Sequence, residues 1–182
     1  MRTKHSGFTV IELVVVIILL GILAATALPR FIDVGDEAHQ AAFQDAMSSL
    51  EAGVSLFHAR ALAAGAATDD RLGEFNGLRV SGGGYPYGLT DRNVSGSTVA
   101  DAEDCVDVFE NVQQAGAPSI AAGTDISSVA ERGAGVDYVA ERSGATCVYY
   151  YTGATVTSNT AIRTMIYDPS DGSVVASIAM LP

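Results

Sequence analysis

Basic residues are scarce in this chain. Lys plus Arg number 10 against 21 Asp plus Glu, the formal net charge is -11, and the only lysine is Lys4. A surface of that sign repels phosphate backbones and disfavours nucleic acid as a partner for the body of the chain. Histidine is almost as rare: His5, His39 and His58 are the three, and the last two lie too far apart on one expected helix to share a metal. There is no His-Glu-x-x-His and no Ser-His-Asp grouping, so neither a zinc protease nor a triad hydrolase is indicated. Cys105 and Cys147 are the two cysteines, with no Cys-x-x-Cys and no Cys/His spacing suited to zinc. They are the natural disulfide partners if the body lies outside the cytoplasm, and two unpaired thiols if it does not. The glycine-rich stretch Ser81 to Gly88 lacks the Gly-Lys-Ser/Thr ending of a phosphate-binding loop and reads as a flexible surface loop. The scattered acids read as a solvated face, and no cofactor is called for.

Against these absences stands one long apolar run. From Phe8 to Leu28 the only charge is Glu12, and the short polar segment in front carries Arg2, Lys4 and His5. As a helix the run would be about 31 Å long, which matches the roughly 30 Å of a bilayer's hydrocarbon core. The basic end stays in the cytoplasm by the positive-inside rule, so the body is exported. A secretory signal would have a shorter apolar segment and small residues at its end, so cleavage is better placed before the run, between Gly7 and Phe8. A carboxylate inside such a helix is costly and calls for a reason. It either snorkels to the headgroups or meets a partner.

Gly7-Phe8-Thr9-Val10-Ile11-Glu12-Leu13, with a basic leader before it and an unbroken apolar stretch behind, resembles the signal of type IV prepilins and the related pseudopilins. Leu28-Pro29-Arg30-Phe31, the Gly-Tyr-Pro of the head and the late Tyr-Asp-Pro-Ser-Asp-Gly turn are most similar to mannose-sensitive haemagglutinin-type major pilins. The resemblance implies that a prepilin peptidase and N-methyltransferase cuts after Gly7 and methylates the new amino terminus at Phe8. It also implies that Glu12 is needed for assembly, by pairing with the Phe8 amine of a neighbouring subunit. Gly21, Ala24, Ala25 and Ala27 would let the apolar helices approach closely.

Beyond the span, Pro29 and Gly35 are expected to bend or loosen the helix. Phe43, Met47, Leu50, Val54, Phe57 and Ala61 then recur at spacings of four and three, one face of an amphipathic helix that needs a cover, and Gly65 is its terminator. A short helix is expected over Asp101 to Gln114, capped by Asp101 and answered by Asp104, with Cys105, Phe109 and Val112 inward. Ala115 to Gly135 reads as loop, with one helical turn around Ser127 to Arg132. Strands are expected over Ala145 to Thr152, Ala161 to Tyr167 and Ser173 to Met180, the last two joined by the turn Asp168-Pro169-Ser170-Asp171-Gly172. Asp168 and Asp171, or Asp101, Glu103 and Asp104, are the acids that could hold calcium, though their spacing is not diagnostic. Asn93-Val94-Ser95 fits a glycosylation sequon.

The expected fold is α+β: a type IV pilin fold with a long N-terminal helix packed on a small antiparallel sheet. The expected parts are a cleaved leader at 1–7, a membrane or filament-core segment at 8–28, the amphipathic half of the helix at 29–65 and a β-rich head at 66–182. The resemblance implies a non-enzymatic subunit that polymerises into a helical homo-oligomer for adhesion, attachment or motility. It would be served by pilus assembly machinery, held in the inner membrane before assembly and extracellular after it. A type II secretion pseudopilin shares the same anchor, although the cysteine pair favours the pilin. A membrane-anchored periplasmic enzyme or sensor is the third reading.

Overall fold

The computed structural model describes residues 7–89, 99–113, 116–124, 135–154 and 161–180, with the side chains of 28–34 excepted. Most of the expected leader, the sequon at Asn93 and the turn expected around Ser127 lie outside these residues. The chain divides into two units, Met1–Ala41 and Ala42–Pro182.

Helix α1 (Val10–Ala64) contributes to both. Its helical assignment passes through Pro29 and Gly35 without a break. In the first unit Val10–Ala27 is long and apolar enough to cross a membrane, with a mean hydropathy of 2.8 and none of it buried. Thr26 returns its hydroxyl to the Leu23 carbonyl (3.0 Å), so this polar side chain is satisfied within its own helix.

In the second unit α1 presents the stripe read from the sequence. Phe43, Leu50, Val54, Phe57 and Ala61 are buried, Ala46 joins them, and Met47 packs at the margin. Gln44, Asp45, Ser48, Ser49, Glu51, Ser55 and Arg60 are exposed. The helix ends at Gly65, whose positive φ of 62° lets its amide reach Leu62 O (3.1 Å) and the Ala66 amide reach Ala61 O (2.9 Å). This is the paired closure of a Schellman end, for which glycine carries no Cβ penalty.

Five strands cover the stripe: β3 (Ile120–Ala122), β4 (Tyr138–Ser143), β5 (Thr146–Tyr151), β6 (Ala161–Tyr167) and β7 (Val174–Met180), in that spatial order. The smaller ribbon β1 (Arg71–Leu72) and β2 (Leu78–Arg79) flanks a short 3₁₀ turn at Gly73–Phe75. The α+β class stands, with one departure from an all-antiparallel sheet: β3 pairs parallel to β4. Along β5, Cys147, Tyr149 and Tyr151 face the main core, while Tyr150 and Val148 join Val139 and Ile162 in a smaller cluster on the other face. The aromatic rings interlock, with Phe109 against Tyr138 and Tyr149 (5.2 and 5.0 Å between centroids) and Phe43 edge-on to Tyr151 (6.2 Å).

Helix α2 (Ala102–Val112) starts as expected from its sequence, with one change of partner. Asp101 caps it by accepting from the Asp104 amide (3.0 Å), but the Asp104 carboxylate accepts from the Ala100 amide (2.6 Å) rather than from the cap residue itself. Asp104 is buried for this purpose, and a Cβ at Gly88 would stand 2.3 Å from its Oδ1. Cys105, on the buried face of α2, is bonded to Cys147 on β5 across a sequence separation of 42. Closing a loop of that length stabilises the fold by about 4 kcal/mol on the chain-entropy model.

The stretch Ser81 to Gly88 is not the flexible surface loop its composition suggests. Ser81, Pro86, Tyr87 and Gly88 are buried, Ser81 Oγ donates to Pro169 O (2.7 Å), and Tyr85 stacks on His58 at 4.2 Å. A Cβ at Gly83 would meet Ser170 O at 2.1 Å, and one at Gly172 would meet the Tyr85 ring. The glycines therefore allow the loop to lock against the β6–β7 turn.

Buried tyrosines give the head a pH limit. Tyr149 donates to Cys105 O (3.0 Å) and Tyr167 to Pro86 O (2.7 Å), and burial pushes both phenols well above their ordinary range. A pKa raised by folding contributes stability that is intact below the unfolded value of about 10 and lost as pH rises beyond it. Spectrophotometric titration should show these phenols ionising only together with loss of the head's near-ultraviolet dichroism. Ionisation of every tyrosine near pH 10 with the fold intact would contradict this packing.

Candidate assembly site

The residues that start α1 form a compact site. Gly7, Phe8 and Thr9 precede the helix in non-helical backbone, Phe8 is 89 % exposed, and a Cβ at Gly7 would meet nothing within 4 Å. Among the described residues nothing packs over Gly7, and Phe8 is open to solvent.

Thr9 stands at the cap position. Its Oγ1 accepts from the Glu12 amide (3.3 Å), while the Glu12 carboxylate accepts from the Thr9 amide and the Thr9 hydroxyl (both 2.9 Å). This is a reciprocal capping box, which satisfies two of the amides that a helix start leaves without partners. Both Thr9 donors converge on Oε2, and among the described residues nothing engages Oε1. Glu12 therefore has a local role inside its own chain and still presents an acceptor. The Thr9 role was missed from the sequence although its signal was there: Thr-x-x-Glu immediately before an apolar run.

The other residues singled out in the sequence separate into distinct places. Cys105 and Cys147 are joined inside the head. At Gly35 a Cβ would meet nothing within 4 Å, and the Pro29 side chain lies outside the described residues. The turn acids bind backbone: Asp168 Oδ1 accepts from the Ser170 amide (2.8 Å) and Asp171 Oδ1 from the Ser173 amide (2.9 Å), the latter bond holding the Asp171 carboxyl below its ordinary range. Asp101 caps α2, and the Asp104 carboxylate holds the Ala100 amide just ahead of it. Among the described residues no three His, Cys, Asp or Glu side chains gather as a cation site would require.

Two glycines make close contacts that their local sequence does not specify. At Gly53, in mid-helix, an added Cβ would lie 2.2 Å from the Val112 carbonyl oxygen, so α1 and the end of α2 cross with backbone against backbone. Gly84 likewise admits His58, whose ring nitrogen sits 3.1 Å from the Gly84 oxygen. The available signal for Gly53 was a lone glycine within a helical pattern, which costs about 1 kcal/mol relative to alanine and so points to close packing.

A family model for the prokaryotic N-terminal methylation motif matches residues 2–28, which contain the whole site. The type IV narrow pilus major component PilA5 of Thermus thermophilus is 34 % identical over 109 residues, covering 60 % of this chain and 86 % of that protein. The chain belongs to the type IV pilin family. No solved structure matches it. In this pilin the start of α1 is exposed, none of Val10–Ala27 is buried, and the head has its own core and disulfide.

Proposed function

We propose that this chain is a structural subunit of a type IV pilus, inserted in the inner membrane by Val10–Ala27 with its head outside and built into a surface fibre after processing. The observation that carries the reading is a membrane-length segment, Val10–Ala27, with none of it buried and its only charge at Glu12, in a helix that continues into a packed, disulfide-closed head. Cleavage between Gly7 and Phe8 by a prepilin peptidase would create a positive amine at Phe8, which the same enzyme would methylate. Glu12 Oε1 of one subunit would receive the Phe8 amine of another, relieving the cost of a carboxylate in a dry bundle and fixing axial register. Gly21, Ala24, Ala25 and Ala27 would permit close packing of the helices, and Pro29 and Gly35 are the positions at which α1 would yield.

The fibre would serve adhesion, surface attachment or motility, and the subunit has no catalytic part in it. Pilus assembly machinery in the membrane is the partner this reading requires. Immunogold labelling with antibody to the head should decorate long extracellular filaments. Label confined to the periplasm would replace this reading with the secretion pseudopilin.

A further inference from the structure

Of Asn76, Asn93, Asn111 and Asn159, only Asn76 precedes a glycine. In such a pair the backbone nitrogen can attack the side-chain carbon of the asparagine, because glycine has no Cβ to block the approach. The Gly77 nitrogen loses its proton and bonds to Asn76 Cγ, the Cγ–Nδ2 bond breaks, and Nδ2 leaves as ammonia. Water then opens the five-membered imide on either side, leaving aspartate or isoaspartate. Water is the only co-reactant, and Asn76 is exposed to it.

The folded head holds both reacting groups away from this course. Asn76 follows the 3₁₀ turn Gly73–Phe75 in the left-handed region, with φ 54° and ψ 21°. Closing the imide requires the Gly77 nitrogen to eclipse Cβ about the Asn76 Cα–C bond, and at this ψ it is turned away. Gly77 itself has φ 86° and donates its amide to Leu72 O (2.9 Å), so the proton that must be lost is engaged. The leaving group is engaged as well. Asn76 Nδ2 donates to Asn111 Oδ1 (2.5 Å), and Asn111 Nδ2 donates to Asp107 O one turn earlier in α2 (2.7 Å). The bond to Asp107 fixes which way the Asn111 amide faces, so α2 presents an acceptor to the ribbon.

The closure is local. β1 and β2 are two residues each, and a ribbon of that length has little stability of its own, so the turn opens at lower cost than the whole head. What keeps it shut is Phe75 against Phe57 (5.0 Å between centroids), buried Leu78 and the Asn76–Asn111 bond. We propose that Asn76 is a spontaneous modification site latched by Asn111: it is deamidated through Gly77 when the β1–β2 turn opens and is protected while the turn is closed. Conversion makes the opening one-way. A carboxylate at this position has no donor to offer Asn111 Oδ1, and isoaspartate adds a methylene to the backbone of a turn that Leu72 and Gly77 close. The chain, already at a net charge of -11, gains a further negative charge two residues from Glu74.

The test follows the full-length chain in mildly alkaline buffer, folded in detergent or unfolded in guanidinium with the disulfide reduced. Cleavage at arginine releases peptide 72–79, in which Asn76 is the only amide side chain, so its mass reports conversion directly. The unfolded chain should convert at least about tenfold faster than the folded one. Asn111→Ala should raise the folded rate about fivefold, the effect of losing one hydrogen bond, and leave the unfolded rate unchanged. Equal rates in the folded and unfolded chain, or a folded Asn111→Ala rate equal to wild type, would overturn the proposal. Hydrogen exchange separates the latch from a general loss of stability: in Asn111→Ala the Gly77 amide should exchange faster while the β5 amides keep their wild-type rate, and equal acceleration at both would overturn it. Should Asn111→Ala fail to fold, the wild-type chain decides. As denaturant is raised below the unfolding transition, conversion of Asn76 should rise in step with exchange at Gly77, and conversion that stays flat while Gly77 exchanges faster would overturn the role of the turn.

Discussion

Glu12→Gln is expected to leave the chain in the membrane, processed and folded, with fibres nearly absent from the surface. The substitution is informative because the capping box accepts glutamine as well as glutamate. Thr9 keeps its partner, the helix keeps its start, and only the charge is lost. If Glu12 acted solely as a cap, Glu12→Gln would assemble at the wild-type level and only Glu12→Ala would be impaired. If it receives the Phe8 amine of a neighbour, both fail, because that amine is then left unpaired in a dry helix bundle. Removing one partner of a buried ion pair costs about 3–5 kcal/mol, a hundredfold or more in association. The readout is the ratio of chain in sheared fibres to chain in membranes, and wild-type yield from Glu12→Gln would remove the assembly role.

The second large effect belongs to the head. Gly53→Val places carbon 2.2 Å from the Val112 oxygen and 2.7 Å from the Val112 carbonyl carbon, and both are backbone atoms that cannot rotate away. α2 must therefore move off α1, and Phe109 and Val112 with it. Overpacking of this kind costs about 1–3 kcal/mol, occasionally more, against a helix-propensity gain of less than about 1 kcal/mol. Gly53→Val should lower the unfolding midpoint by several degrees and reduce the amount of chain in the cell. Gly35→Ala is the control, since a Cβ there meets nothing within 4 Å. It should be neutral or stabilising, and equal losses from the two would show that the crossing at Gly53 is not what matters.

Local physics explains which parts of this architecture were readable in the sequence. The stripe from Phe43 to Ala61 was visible because one buried face imposes a helical period on the residue types. β6 was visible over its full length because its apolar residues end sharply at Asp168-Pro169-Ser170-Asp171-Gly172. β3 and β4 were not. Ile120-Ala121-Ala122 has weak strand preference, and Glu141-Arg142-Ser143 reads as polar loop, so these strands exist through pairing with distant residues and not through their own composition. The parallel partnership of β3 with β4 has no local signature at all.

The glycines mark the same boundary. Gly65, with positive φ at a helix end, follows a sequence rule. Gly53, Gly83 and Gly88 are glycine because of atoms brought near by the fold: the Val112 carbonyl, the Ser170 carbonyl and the Asp104 carboxylate. Low side-chain content made Ser81 to Gly88 look mobile, whereas the missing side chains are what lets it pack. At the start of α1, Gly7, Phe8 and Glu12 stand out in the sequence because they lie within one six-residue motif. Thr9 carries an equally local signal, because Thr-x-x-Glu before an apolar run specifies the cap that Thr9 and Glu12 form.

The proposed route from precursor to fibre is tested most directly by the covalent state of the chain in the fibre. Mass spectrometry of sheared surface filaments should find a polypeptide beginning at N-methylated Phe8, with Cys105 linked to Cys147 and residues 1–7 absent. A chain isolated with Met1 intact, or missing from the filaments while abundant in the membrane, would contradict it.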